Sequence, residues 1–403
     1  MIDLKIGQFS DSFLPIMDGV GRVVYSYVSG LCKKGHQCYV IAPMNDLGYR
    51  GGFPFDLIDY HGVNVPAYKY KAGTPVLDRH YNLRVNAADM DIVHAHTPFM
   101  AGIEAVRISK RRNIPLVGTF HSKYYDDFYK VTKSEELAEI GIKIVVGFFN
   151  QCSEVWAVSR ASASELENYG YKGEIRIMQN GTEIRELDPN AVREIESMFE
   201  LNDLPMILYV GQMNWKKNIL RILEAAAIVR QSGRTFTLVL AGQGPDEQEI
   251  KNKAEALGLS SVTRYPGHIA DVRLLDALYA RASVFAFPSL YDTAGLVVRE
   301  AAVMGTASVV AEESGPAESI THRVNGLVCE NSSESLAEAL KELIDNESFA
   351  KLLGKAARTT LAVSWDIMLD DVVKRYEDII ENHAFIRAQK GKQHTHKSRA
   401  IGR

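Results

Sequence analysis

Short β-branched runs alternate with helix-length gaps from the amino terminus to about residue 180, and after a polar, acidic pause the same alternation restarts at residue 206. Strands of a parallel sheet are covered on both faces and joined by crossovers, so they read as near-continuous apolar runs with helices between them. The first series has such runs at 4–9, 37–43, 91–96, 115–120, 154–158 and 174–178, with a helical pattern over 20–34. The second has them at 206–211, 236–242, 262–267, 283–289 and 306–311, with a helix over 217–231. A chain of 403 residues also exceeds what one ordinary core organises. The reading is α/β: two Rossmann-like, doubly wound domains, 1–184 and 185–364, facing a deep cleft. Ligands of such sheets bind outside the carboxyl ends of the strands, which makes the loops there the place to look for chemistry.

Beyond the second domain, a helix over 365–383 is expected to pack back toward the first. The tail 384–403 holds six Lys or Arg and no carboxylate, and reads as disordered. The whole chain carries 46 Lys plus Arg against 50 Asp plus Glu, so nothing global attracts nucleic acid or anionic lipid, and any such contact is local. Cys32, Cys38, Cys152 and Cys329 lack CxxC spacing and read as reduced thiols of a cytoplasmic protein. Asp3 and Lys5 fall where a signal peptide would be apolar, and the most apolar stretch, 140–152, is far short of the ~20 residues that cross a bilayer.

Three loops carry candidate chemistry. After the first strand, Asp18, Gly19, Val20 and Gly21 lead into a helix, and glycines there let backbone N–H groups approach an anion at the positive end of the helix dipole. In VGQMNWKKN, Lys216 and Lys217 fall at an expected helix start, where a cation opposes the dipole unless an anion joins it. AGQGP follows the next strand, with Gly242 and Gly244 suited to a tight turn. In SLYDTAGLVVREAAVMG, Asp292 lies in a loop and Glu300 within two turns of a helix opened by Gly295, so both carboxylates can accept hydrogen bonds from vicinal sugar hydroxyls. His94 and His96 alternate on one strand face and His121 follows another strand's carboxyl end. No third ligand at suitable spacing accompanies the HxH pair, so no metal site is expected.

GVGRVVYSYVSGLCKKGHQCYVIAP, DIVHAHTPF, TFHS, VWAVSRAS, NGTEI, VGQMNWKKN, AGQGP and FPSLYDTAGLVVREAAVMG occur in an order and spacing that resemble glycosyltransferase family 4, from about residue 4 to 345. The resemblance implies a GT-B fold and retaining, metal-independent transfer from a nucleoside-diphosphate sugar, with no separate cofactor. In that pattern Glu300 would hold the ribose hydroxyls and Lys217 the diphosphate. The Gly19, Val20, Gly21 turn would approach phosphate and acceptor, His121 would touch the donor sugar, and Asp292 would sit near its hydroxyls. Gly211, Gln212, Lys216, Gly242, Gly244, Thr293, Ala294, Gly295 and Leu296 would complete the nucleotide-sugar site. Gln212 stands where the family usually has Arg, Lys216 where an acid is common, Asp292 where Glu is usual and Ala294 where an aromatic is usual.

His121, Lys217, Asp292 and Glu300 are the residues expected to carry catalysis. The reaction implied is transfer of a hexosyl group, with glucosyl favoured, from a UDP-sugar to a lipid or cell-envelope glycan, at a site cytoplasmic or peripheral on an anionic membrane. The alternatives are a nucleotide-sugar 2-epimerase of the same architecture and a non-catalytic nucleotide-sugar-binding subunit.

Overall fold

A computed structural model of the chain describes residues 3–13, 19–44, 52–64, 71–121, 123–201 and 203–401. Asp18, named above, and the last two residues of the tail lie outside them. The chain divides into two units, one comprising Met1–Val158, Ser162–Asn180 and Trp365–Arg403, the other Ser159–Ala161 and Gly181–Ser364.

The first unit is built on strands β1 (Lys5–Phe9), β2 (Gln37–Met44), β3 (Asp56–Asn64), β4 (Lys71–Gly73), β5 (Ile92–Ala95), β6 (Leu116–Phe120), β7 (Glu154–Ala157) and β8 (Ile175–Ile177), in the sheet order β4-β3-β2-β1-β5-β6-β7-β8. All neighbours are parallel except β3 and β4, which form an antiparallel edge. The sequence pattern misses β3, where Asp56, Asp59, His61 and Gly62 interrupt the apolar run, and the three-residue β4 beside it. Asp59 is nevertheless buried, with Arg84 Nη1 at 3.4 Å. The order reverses between β1 and β5, so the switch point of this sheet lies beyond their carboxyl ends, where Asp11, His96 and Thr97 follow.

The second unit contains β9 (Met206–Val210), β10 (Thr237–Ala241), β11 (Thr263–Gly267), β12 (Val284–Phe287), β13 (Ser308–Ala311) and β14 (Leu327–Cys329), all parallel, in the order β11-β10-β9-β12-β13-β14. Its strands bury both faces: Ile207, Leu208, Val239, Leu240, Phe285 and Val309 are all fully inaccessible. β14 has only three residues, too short for a periodic signal. The switch point here lies between β9 and β12.

The helix expected over 217–231 begins at Ile219 instead. Trp215–Lys217 forms a separate 3-10 turn, and Asn218, in the left-handed region at φ 61°, breaks the two apart. The last helix runs Trp365–Ile401, so the tail expected to be disordered is helical as far as Ile401. Ala, Gln, Lys and Arg dominate that stretch and it has no proline, which is a helix-forming composition despite Gly391. Among the described residues, no helix is long and apolar enough to cross a membrane.

Candidate active site

The loops leaving β9, β10, β12 and β13 crowd together at the carboxyl end of the second sheet. A Cβ on Gly242 would lie 1.8 Å from the carbonyl oxygen of Gly211, and one on Gly244 2.3 Å from that of Met213. Only glycine lets these two backbones meet, and hydrogen bonds join them: Gly211 N–H to Ala241 O (3.0 Å) and Met213 N–H to Gln243 O (3.1 Å). Tyr209 Oη donates to the carbonyl of Gln212 at 2.8 Å and holds the turn, while the Gln212 side chain is exposed. On the other side of the switch point, a Cβ on Gly315 would lie 2.4 Å from Thr293 O and 2.6 Å from Asp292 O, so the loop after β13 supports the one after β12.

Lys217 follows β9 and Asp292 follows β12, and the two side chains meet at 2.7 Å (Nζ to Oδ1). Their side chains are 17% and 25% exposed, which desolvates the pair more than an ordinary surface bridge. Lys216 Nζ lies 4.7 Å and Lys217 Nζ 5.6 Å from the centroid of the Tyr291 ring, so both cations sit against one aromatic side chain. Asn218 Nδ2 donates to Pro288 O at 2.9 Å and ties the 3-10 turn to the β12 loop. Asp292 Oδ2 and Ser289 Oγ are buried with no hydrogen-bond partner among the described residues. Unpartnered polar atoms of this kind cost ~1–3 kcal/mol each in a closed interior and are suited to meeting hydroxyl or N–H groups of a ligand.

Gly295, at φ 58°, precedes the helix Leu296–Val303, with Thr293 and Ala294 in the loop before it. Glu300 is 7% exposed on that helix and accepts from Tyr279 Oη at 3.1 Å. Arg185, which follows NGTEI, makes a bidentate pair with the buried Asp276 (2.6 and 2.8 Å). Its pKa is raised chiefly by that hydrogen-bonded pair, with Glu300 adding to the field. Sequence reasoning missed Arg185, although an arginine next to a singled-out motif was the available signal.

In the first unit, Gly19, Val20 and Gly21 form the first turn of the helix Gly19–Lys33, and a Cβ on Gly19 would meet nothing within 4 Å. Asp11, also missed, is buried beyond β1. It accepts from Ala101 N–H at 2.9 Å and from Thr97 Oγ1 at 2.6 Å, and burial pushes its pKa up to about 6. His94 and His96 are fully buried with ring centroids 4.1 Å apart, and His96 Nδ1 lies 2.9 Å from His121 Nε2. Burial lowers all three histidines, His121 to about 3, so they are neutral. Among the described residues, no cluster of three His, Cys, Asp or Glu is placed to hold a metal ion.

Two open parallel sheets, each with its polar groups gathered at a switch point, define a pair of Rossmann-like units. Residues 17–186 match the family model "Glycosyltransferase Family 4", and residues 193–360 match "Glycosyl transferases group 1". Among the relatives, an alpha-monoglucosyldiacylglycerol synthase of Streptococcus pneumoniae is 25% identical over 75% of this chain and 70% of its own. A GDP-mannose-dependent alpha-mannosyltransferase of Corynebacterium glutamicum is 23% identical over 94% and 89%. The sucrose-phosphate synthase of Thermosynechococcus elongatus shares the fold, with a TM-score of 0.75 at 18% identity over 94% of this chain and 99% of its own. The chain belongs to glycosyltransferase family 4, has the GT-B fold, and is a glycosyltransferase.

Proposed function

We propose that this protein transfers a hexosyl group, glucosyl by preference, from a UDP-sugar to a lipid or glycan acceptor with retention of configuration. The observation that carries the reading is the Lys217–Asp292 pair at the switch point of the second sheet, with Asp292 Oδ2 unpartnered beside it. Lys217, supported by Lys216, meets the diphosphate; Asp292 accepts from donor hydroxyls and Ser289 accepts from or donates to them; Glu300 holds the ribose. The bond from the sugar's anomeric carbon to the diphosphate oxygen breaks as the bond to the acceptor oxygen forms on the same face. The acceptor's proton passes to the departing phosphate oxygen. Fixed cations and amides stabilise the charge on the diphosphate as it leaves, so no side-chain nucleophile and no metal is required.

The test is a donor panel read by slow hydrolysis without acceptor. UDP-glucose is expected to release glucose faster than UDP-galactose, UDP-N-acetylglucosamine and GDP-mannose, and to do so in excess EDTA. GDP-mannose is on the panel because a relative of nearly full coverage is named for it. Preferred turnover of GDP-mannose overturns the UDP-glucosyl assignment, conversion of a UDP-sugar to its 2-epimer overturns transfer itself, and tight UDP binding without turnover of any donor supports a non-catalytic subunit.

The lipid acceptor is supported by the S. pneumoniae relative and by a surface of the first unit. The apolar residues of the helix Glu135–Phe149 divide in the structure: Val145, Phe148 and Phe149 are core, whereas Leu137, Ile140 and Ile144 are about half exposed. Val131 and Tyr129 are exposed on the helix Tyr125–Thr132, which packs against it. Lys130, Lys133 and Lys143 are exposed here, but so are Glu135, Glu136 and Glu139, so apolar insertion supplies most of the attachment and the cationic tail 384–403 adds a salt-sensitive share. The protein is expected to sediment with phosphatidylglycerol-containing vesicles at low salt and less at high salt. Ile140→Glu with Ile144→Glu should at least halve the bound fraction. Full-length protein that stays in the supernatant at low salt removes the lipid acceptor in favour of a soluble one.

A further inference from the structure

Gln8 lies next to the carboxyl end of β1, fully buried, with its amide between two rings. Its Nε2 is 3.2 Å from Tyr376 Oη of the last helix, and its Oε1 is 2.7 Å from His96 Nε2. His96 Nδ1 lies 2.9 Å from His121 Nε2. On the other arm, Tyr376 Oη lies 2.5 Å from His94 Nδ1, and His94 Nε2 lies 2.6 Å from Thr119 Oγ1. Tyr376 is itself fixed, stacked on Trp156 with ring centroids 5.5 Å apart and planes 14° from parallel.

An amide nitrogen only donates and an amide oxygen only accepts, so Gln8 gives this row a direction. Its Nε2 donates to one lone pair of Tyr376 Oη, and the phenol can meet His94 Nδ1 with either its own proton or its second lone pair, so this arm anchors the amide without fixing the tautomer of His94. Toward the other end, Gln8 Oε1 requires the proton of His96 on Nε2. A neutral imidazole has one N–H, so His96 Nδ1 accepts, and the donor to it is His121 Nε2–H. The second-nitrogen partner of a histidine decides its tautomer, and here the decision is passed along from a residue 113 positions earlier in the chain.

We infer that Gln8, held by Tyr376, is a positioning residue that keeps the proton of His121 on Nε2 and makes Nδ1 its only basic nitrogen. The proposal deepens the functional reading, because its relevance to transfer rests on His121 touching substrate. All the groups are buried, and burial keeps the histidines neutral, so the row persists throughout the neutral pH range. The amide turned by 180° would reverse the protons of His96 and His121 and place that of His121 on Nδ1, with opposite hydrogen-bonding to any ligand.

The test is long-range proton–nitrogen correlation NMR on the full chain labelled with nitrogen-15 histidine, beside steady-state kinetics. In the unaltered protein His121 is expected as a single tautomer protonated on Nε2. Gln8→Met, which keeps the volume and removes the amide, should give a mixture of tautomers at His121 and a roughly tenfold fall in kcat with little change in the donor KM. Tyr376→Phe should give a smaller mixing, and serves if Gln8→Met does not fold. Gln8→Glu, whose carboxylate still accepts from His96, should restore the single tautomer. A proton on Nδ1 in the unaltered protein, or a tautomer unchanged in both Gln8→Met and Tyr376→Phe, overturns the inference. Mixed tautomers with unimpaired transfer uphold Gln8 as the positioning residue and remove His121 from the reaction, so the two failures are distinguishable.

Discussion

Lys217→Ala is expected to lower kcat/KM for sugar transfer by about 10²–10³-fold and to remove most of the thermal stabilisation that UDP confers, because it acts twice. It deletes the cation opposite the diphosphate. It also strips Asp292 of its 2.7 Å partner, leaving a carboxylate only 25% exposed with both oxygens unsatisfied and its charge turned toward an anionic ligand. Asp292→Asn separates the two effects. It frees Lys217 from competition, so UDP should bind more tightly, while transfer falls because the amide no longer accepts fully from donor hydroxyls. The double variant should bind UDP better than Lys217→Ala alone, since the unpaired charge has gone. Glu300→Ala should weaken UDP and also leave Tyr279 Oη without the acceptor at 3.1 Å. These comparisons are read by titrating UDP against melting temperature, where a ligand at one hundred times its dissociation constant adds ~2.7 kcal/mol to the folded state. Equal UDP shifts in Lys217→Ala, Glu300→Ala and the unaltered protein would place the nucleotide elsewhere.

The sheets were legible because parallel strands advertise themselves. Ile207–Leu208 and Val309–Val310 sit in runs that bury both faces, and no other local structure calls for so short and so apolar a segment. β3 was not, because Asp56, Asp59 and His61 break its apolar run even though Leu57, Ile58, Asp59 and Tyr60 are all buried, and β4 and β14 have only three residues each. Asp292 and Glu300 were placed correctly on a loop and the helix after it because Gly295 marks that boundary. Lys217 was placed on a helix, two residues too soon, because Asn218 in the left-handed region leaves no pattern in the residues before it. The core face of the helix Glu135–Phe149 is not legible in the sequence for a geometric reason: the helix is apolar over more than half its circumference. Periodicity then fails to say that Ile142, Val145 and Phe149 face the core while Leu137, Ile140 and Ile144 do not. The row through Gln8 joins residues 88 and 368 positions apart, and its only local trace is one amide in an otherwise apolar strand.

That buried row sets the expected response to acid. His94, His96 and His121 are neutral in the native first unit, lowered by burial from 6.5, His121 to about 3. Once unfolded they bind protons near pH 6.5, so their contribution is fully present above that value and is lost as pH falls below it. Asp11 acts in the opposite sense. Burial raises it from 3.8 to about 6, so between those values the native state holds a proton that the unfolded chain has released. The lowered histidines, His36 among them, outweigh the single raised carboxyl, so the stability of the first unit should fall between about pH 6 and 4 by roughly 1–3 kcal/mol per pH unit. Over those two pH units the loss is comparable to the lower end of the 5–15 kcal/mol that holds an ordinary domain, so the first unit should be markedly destabilised by pH 4. Trp156 and Trp365 report on that unit and Trp215 on the other, so single-tryptophan variants separate the two transitions. Urea denaturation at pH 7, 6 and 5 should show the first unit's midpoint dropping steeply while that of the second moves little. His96→Gln, which cannot take up a proton, should reduce the slope by about one proton. A first-unit midpoint constant from pH 7 to 5 would mean that the three histidines titrate alike in the native and unfolded chains, and the neutral buried row would have to be abandoned.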